Sequence, residues 1–442
     1  MQLLQTLRNA WRTAELRSKI LYTLFIIIIF RLGANIPVPF IDAELVKNFF
    51  DGSAGSLFGY LNMLSGNALS QGTVFALTIQ PYINASIIIQ LLTIAIPSLE
   101  RLAKDGGEEG RKKINAITRY TTVAIAAIQA YGYYVTLKSQ GALQTMTGAA
   151  YWLQLFTILL VLMAGSCVVM WIGESVNEKG IGNGVSIILF ASIISRGVNL
   201  ITNSAVVWSS GMWYAVIIAF IIFLLMVVSV VFFDNGERRL PIQYAKRQVG
   251  RKMYGGQNTH LPIKVVMTGV MPIIFTYSIV GLPATIAQFF PGSGYASWIE
   301  AHFNQRSAIY IILTFLLIIF FNYFYISIQY NPVEIANNIK NNGGTIPGIR
   351  PGKPTADFII KTVNRTTLFG ALFLGVVAIV PLLYGAIFYP IAQNISSQYL
   401  PYYVQTLAIG GTSILIIVQV ALETIKQLES QLIVRNYKGF LE

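Results

Sequence analysis

The chain has 442 residues, 55% of them apolar and only 11% charged, with a formal net charge of +13. A soluble domain keeps about a quarter of its residues charged, so this composition excludes a soluble globular class and places the chain in a membrane. One cysteine, Cys167, and two histidines far apart, His260 and His302, leave no internal disulfide and no Cys/His metal framework.

In chain order, the apolar runs predict about ten membrane helices, since a bilayer core about 30 Å thick takes roughly 20 apolar residues per helix. The runs cover residues 18–36, 73–96, 115–137, 152–172, 184–202, 213–233, 265–290, 307–329, 367–389 and 403–422. Helices are expected because an open strand edge in lipid strands backbone groups without partners. The first run follows a basic amphipathic stretch and has no small-residue cleavage site after it, so it reads as a retained span. Residues 57–65, LFGYLNMLS, form an apolar stretch too short to cross. Such a segment is re-entrant or interfacial, and the alternative is a surface helix on the outer face.

An even number of spans puts both termini on one side. The bias of Lys and Arg toward cytoplasmic loops makes that side the cytoplasm. The outer side then holds only Arg31, Lys47, Lys138, Arg196 and Arg306 out of 31 Lys and Arg. Two long inner loops, 234–264 and 331–366, are basic. The first carries Arg238, Arg239, Lys246, Arg247, Arg251, Lys252 and Lys264; the second carries Lys340, Arg350, Lys353, Lys361 and Arg365. Orientation accounts for the charge but not for the length, which points to a docking surface. Five spans fall on each side of the 203–211 loop. An odd number per half makes the second run inverted relative to the first, which gives an N-terminal half 1–202 and a C-terminal half 203–442.

Motifs of catalysis are missing. There is no G-x-x-x-x-G-K-[ST], no H-E-x-x-H and no G-x-S-x-G, and Gly165-Ser166 and Ser293 have no histidine in a span to activate a serine. No Asp or Glu lies mid-span; Glu174 and Glu423 sit near cytoplasmic ends. That argues against proton coupling, which places carboxylates or histidines within the membrane. Neutral polar residues occupy the spans instead: Gln80, Asn84, Gln90, Gln129 and Thr412-Ser413. They serve either helix–helix hydrogen bonding or an interface that opens. A secondary transporter with broken helices and a poreless membrane scaffold are the alternatives that the residues leave open.

Several stretches resemble the SecY family of protein-translocon channels, in the family's order and over most of the chain. They include Asn62-Met63-Leu64-Ser65-Gly66-Asn67-Ala68-Leu69-Ser70, the run from Gln80-Pro81-Tyr82 to Gln90-Leu91-Leu92, and Glu108-Glu109-Gly110-Arg111-Lys112-Lys113-Ile114. Gly180-Ile181-Gly182-Asn183-Gly184, Tyr244-Ala245-Lys246-Arg247-Gln248 and Thr259-His260-Leu261-Pro262-Ile263-Lys264 follow. The last are Asn331-Pro332, Ile346-Pro347-Gly348-Ile349-Arg350-Pro351-Gly352 and Gly410-Gly411-Thr412-Ser413.

The resemblance implies an all-α membrane protein of two inverted five-helix halves around a central pore, with a short re-entrant plug helix. It implies an aliphatic pore ring at Ile79, Ile83, Val185, Leu189, Ile274 and Ile416, where Val185 and Leu189 depart from the family's usual isoleucine. The plug falls at about 57–67, with Leu57, Phe58, Tyr60, Leu61, Met63 and Leu64. A lateral gate between spans two and three and spans seven and eight is marked by Asn84, Gln129 and Leu282, with Pro272 and Pro283 giving span seven its bends. Lys246, Arg247, Arg251, Lys252 and Arg350 become contacts for the SecA ATPase or the ribosome. The implied activity is not enzymatic and uses no cofactor. Unfolded secretory polypeptides cross the bacterial plasma membrane, and signal peptides or transmembrane segments leave sideways into the lipid bilayer. SecE and SecG are the implied partner subunits.

Overall fold

The computed structural model describes residues 8–52, 62, 65–104, 106–244, 247–249, 252–254, 258–290, 292–394 and 400–438. The apolar runs are helices, as lipid requires of a chain that must satisfy its own backbone. In order they are α1 (Ala14–Gly33), α2 (Ala43–Gly52), α3 (Gln80–Ala95), α4 (Pro97–Lys104), α5 (Gly107–Ser139), α6 (Ala149–Lys179), α7 (Gly184–Ile194), α8 (Gly197–Ser209) and α9 (Trp213–Asp234). Four strands follow: β1 (Glu237–Tyr244), β2 (Arg247–Val249), β3 (Lys252–Tyr254) and β4 (Asn258–Lys264). Then come α10 (Met271–Ala287), α11 (Gly294–His302), α12 (Ala308–Gln329), α13 (Pro332–Asn341), β5 (Gly344–Thr345), α14 (Lys353–Gln393) and α15 (Leu400–Lys438).

Among the described residues, six helical stretches are long and apolar enough to cross a membrane, and α3–α4, bent by 106°, makes a seventh. The three remaining expected spans correspond to α1, α5 and α10. The 33-residue α5 is diluted by polar residues, and the 17-residue α10 is short but largely buried within the bundle.

Several boundaries differ from expectation for physical reasons. The second span was expected from residue 73, but Thr73 forms an isolated bridge with Pro37, 74–79 are turns and the helix begins at Gln80. Thr78 sits at φ +48°, a region costly for a β-branched residue. This irregular stretch is covered by protein: Thr73 and Thr78 are buried, and Tyr133 donates to the Leu69 carbonyl at 2.6 Å. The fifth span is two helices broken at 195–196, and the second runs on to Ser209. The boundary expected at 202/203 therefore lies inside α8, and the chain leaves helix only at 210–212. Pro272 does not bend α10; it stands in the first turn, where no N–H partner is needed, whereas Pro283 is internal.

Described strands of the two long inner loops pair with each other, so the fold is not helical throughout. β1 pairs antiparallel with β4, from Glu237↔Lys264 to Gln243↔Asn258. On its other edge, β1 pairs with β5 of the later loop. Alternation along β1 turns Leu240 and Ile242 inward. With Ile263, Ile339, Ile346 and Ile359 they form a separate apolar core under the bundle. The expected ninth span begins 14 residues early, because α14 starts at Lys353 and lays Ile359 and Val363 on that core.

Candidate functional site

Five of the six expected ring residues, Ile79, Ile83, Leu189, Ile274 and Ile416, are no more than 5% exposed. All five belong to one apolar cluster, against which the half-buried Val185 packs. Local structure delivers them from four separate elements. Ile79 is the residue that opens α3, and Ile83 lies one turn on. Asn183 caps α7 by accepting from the Val185 and Ser186 amides, so Val185 and Leu189 at i and i+4 share a face. Ile274 lies in the first turns of α10, and Ile416 is mid-way along α15.

Directly against this cluster lies a cavity of about 300 Å³. Ile83, Val185 and Ile274 form part of its wall, and Ser86, Gln90, Asn115, Asn177, Asn183 and Gln329 supply a polar remainder. Asn177 and Gln329 belong to helix ends expected on the cytoplasmic side. Apolar constrictions can dewet and stop ions; here a buried aliphatic cluster adjoins a cavity with a partly polar lining.

The expected gate residues fall in different environments. Asn84 on α3 and Gln129 on α5 are 5% and 6% exposed, while Leu282 on α10 is 36% exposed on the bundle's outside. Gln129 lines a second cavity of about 40 Å³ with Gln80, Thr285 and Gln288, between α5 and α10. Neither Asn84 nor Leu282 reaches that cavity, so the structure does not join the three. Two residues at this seam went unnoticed in the sequence. Gln288 faces Gln129 across the small cavity, and Tyr325 on α12 donates to Gln90 on α3 at 3.0 Å. The only signal for either was a polar group at the end of, or within, an apolar run.

The plug residues Leu57, Phe58, Tyr60, Leu61, Met63 and Leu64 lie outside the described residues, as do Lys246 and Arg251. Asn62, within the expected plug, is tied to the turns at 65–70: its Oδ1 accepts from the Ser70 amide at 2.9 Å, and Ser65 donates to its carbonyl at 2.7 Å. Arg247 and Lys252 occupy the paired strands β2 and β3. Arg350 is exposed on the turn before α14, and its carbonyl accepts from Thr355 Oγ1 at 2.8 Å. No group of metal-ligating side chains occurs among the described residues.

The family model SecY matches residues 73–425. The chain is 44% identical to the protein translocase subunit SecY of Streptomyces galbus, over 99% of this chain and all of that protein. It is 42% identical to the subunit of the same name from Mycobacterium tuberculosis, over 98% and 99% of the two chains. Among solved structures, a protein-conducting channel aligns with TM-score 0.64 at 18% identity, over 94% of this chain and 92% of that one. Sec61 in the canine ribosome–channel complex aligns with TM-score 0.60 at 16% identity, over the same shares. With a buried aliphatic cluster beside a partly polar cavity and a match over almost its whole length, this multi-pass membrane protein belongs to the SecY family.

Proposed function

We propose that the protein is the pore of a translocon: it passes unfolded secretory polypeptides across the plasma membrane and releases apolar segments sideways into lipid. The observation that carries this is the convergence of Ile79, Ile83, Leu189, Ile274 and Ile416 in one buried cluster beside a polar cavity of about 300 Å³. Aliphatic side chains offer a passing chain no hydrogen bond to hold it, and they close against each other once it has left. In the closed state, water on the funnel side favours that contact through the hydrophobic effect.

The pore ring comprises these five residues and Val185. Residues 57–67 act as a plug on the outer side, and the gate runs between α3 and α5 on one side and α10 and α12 on the other. The joined sheet and exposed Arg350 suit a docking surface for a SecA-type ATPase, to which the basic residues Lys246, Arg247, Arg251 and Lys252 of the earlier loop contribute. A ribosome, rich in phosphate, would bind the same basic loop with steep salt dependence. SecE- and SecG-type subunits complete the complex, both termini lie in the cytoplasm, and the parts of the chain before and after the break at 210–212 act as opposed halves.

The test is reconstitution of the chain with its partner subunits in vesicles, adding the ATPase, ATP and an unfolded precursor. Protease-protected precursor that depends on this chain is the expected result. Uptake of a small solute without any protected precursor would instead support a secondary transporter.

A further inference from the structure

We propose that Asn177 and Asn183 form a donor-only shelf on the wall of the large cavity, which receives backbone carbonyl oxygens of the polypeptide and holds it on the α6–α7 side as it meets the ring. This rests on the channel reading above and adds two positioning residues that the resemblance did not mark.

The two amides are fixed from behind. Asn177, near the end of α6, accepts from the Gly184 amide at 2.7 Å. Asn183 accepts from the Val185 and Ser186 amides at 3.0 and 3.3 Å. All three partners are backbone N–H donors, so the bonded side-chain atoms are oxygens, and each Nδ2 keeps its two N–H groups. Neither nitrogen has a hydrogen-bond partner among the described residues. Both residues line the cavity, and Asn183 stands two positions before the ring residue Val185. The junction behind them cannot yield, since Gly184 lies against the Gly173 backbone. Capping needs only the oxygen, which Ser, Thr or Asp supplies as well. What the amide adds is the donors.

The facing wall differs. Met271, Ile274 and Phe275 of α10 line the same cavity and offer no side-chain donor. On α3, Gln90 is occupied, its Nε2 by Ser86 and its Oε1 by Tyr325. Asn115 and Gln329 also line the cavity but hold no hydrogen bond among the described residues that would orient them. Amide donors held in a fixed direction are therefore confined to the α6–α7 side. An unfolded chain carries a carbonyl oxygen at every residue whatever its sequence, and donors already in place lose little freedom on meeting it. One neutral hydrogen bond shifts an equilibrium by only about fivefold, so each carbonyl can be exchanged for the next and the chain still slides. The backbone is drawn to the amide wall, and the side chains are left toward the apolar one.

The experiment stalls a precursor half-way through the complete complex, with a photoreactive residue in the stretch that occupies the cavity. Adducts are mapped by mass spectrometry, and the readout is the ratio of label on residues 177–189 to label on residues 271–278. Asn183→Ser and Asn177→Asp keep a capping oxygen and lose the amide nitrogen; Asn183→Ala loses both. In wild type the label is expected mainly on 177–189, and the ratio is expected to fall about fivefold in Asn183→Ser and in Asn177→Asp at normal protein levels. Wild-type label mainly on 271–278 overturns the shelf. So does a wild-type ratio in Asn183→Ser, and if Asn183→Ala alone lowers it, Asn183 only caps. A second precursor, with every Asp and Glu of that stretch changed to Asn and Gln, separates the two oxygens that could serve. An unchanged ratio agrees with backbone carbonyls; a collapsed one assigns the shelf to carboxylates and overturns the proposal. Label on neither wall would break the channel reading itself, and the shelf with it.

Discussion

Where α6 meets α7, a Cβ placed on Gly184 would lie 1.8 Å from the Gly173 carbonyl oxygen, and one on Gly165 would lie 2.0 Å from that of Val74. Where α3 and α5 meet α10 and α12, by contrast, a cavity of about 40 Å³ lies between α5 and α10, one of about 300 Å³ opens between α3 and α10 with the α6–α7 junction as a further wall, and a tyrosine–glutamine hydrogen bond crosses from α12 to α3. Both regions lie in the same bundle and draw on the same apolar residue types. Lipid tails are as apolar as leucine, so hydrophobicity alone cannot hold membrane helices together; close backbone approach at small residues can. Glycine contacts therefore make α6, α7 and the turns that lead into α3 one unit. A seam of side chains and voids is where that unit can part from its neighbour.

The largest expected effect comes from breaking the tight region. Gly184→Val puts a branched side chain into backbone that cannot retreat, and folded protein recovered from membranes should fall below about a tenth of normal. Normal recovery would mean that α6 and α7 are not locked together. Next comes the waist. Ile83→Asn leaves a buried amide without partners at a cost of about 1–3 kcal/mol, so opening should rise about fivefold or more at unchanged expression. Ion conductance of the complex in planar bilayers reads this, and an unchanged closed level would remove Ile83 from the ring. Arg350→Glu touches neither region. ATPase-driven export should drop about tenfold while conductance and thermal stability stay at wild-type values; parallel loss of stability would make Arg350 structural. The smallest effect is expected at Arg119→Ala. Arg119 pairs with Glu174 at 2.9 Å from a half-exposed position, and exposed pairs contribute about 0.2–1 kcal/mol. A melting shift of no more than about 3 °C would agree with that; a larger one would make the pair a brace of the unit.

Composition and apolar runs made the helical membrane class legible, and eight of the ten expected spans hold a helix over most of their length. The exceptions are the second, whose opening residues 73–79 pack against protein and are as apolar as a helix would be, and the seventh, where 265–270 are bends and turns before the helix begins at Met271. Pattern also missed the sheet that joins the two inner loops. β5 is only two residues long, and its pairing with β1 spans a hundred residues of sequence. The first turns of α14 escaped for a related reason: residues 353–366 are amphipathic, packing Ile359 and Val363 on the sheet rather than into lipid. Ring positions came from resemblance, and burial alone would not separate Ile416 from Leu415, both of which are buried in the same cluster. The Tyr325–Gln90 bond joins residues 235 apart in sequence, a distance at which no local signal survives.

The most direct measurement is site-specific photocrosslinking from position 83 to a precursor stalled half-way through the complex. Phe220 on α9, 59% exposed to the surroundings of the bundle, serves as the comparison position. An adduct at 83 that appears only with the stalled chain, and none at 220, is the expected result. A chain that labels at 220 and not at 83 would place the path outside the aliphatic waist.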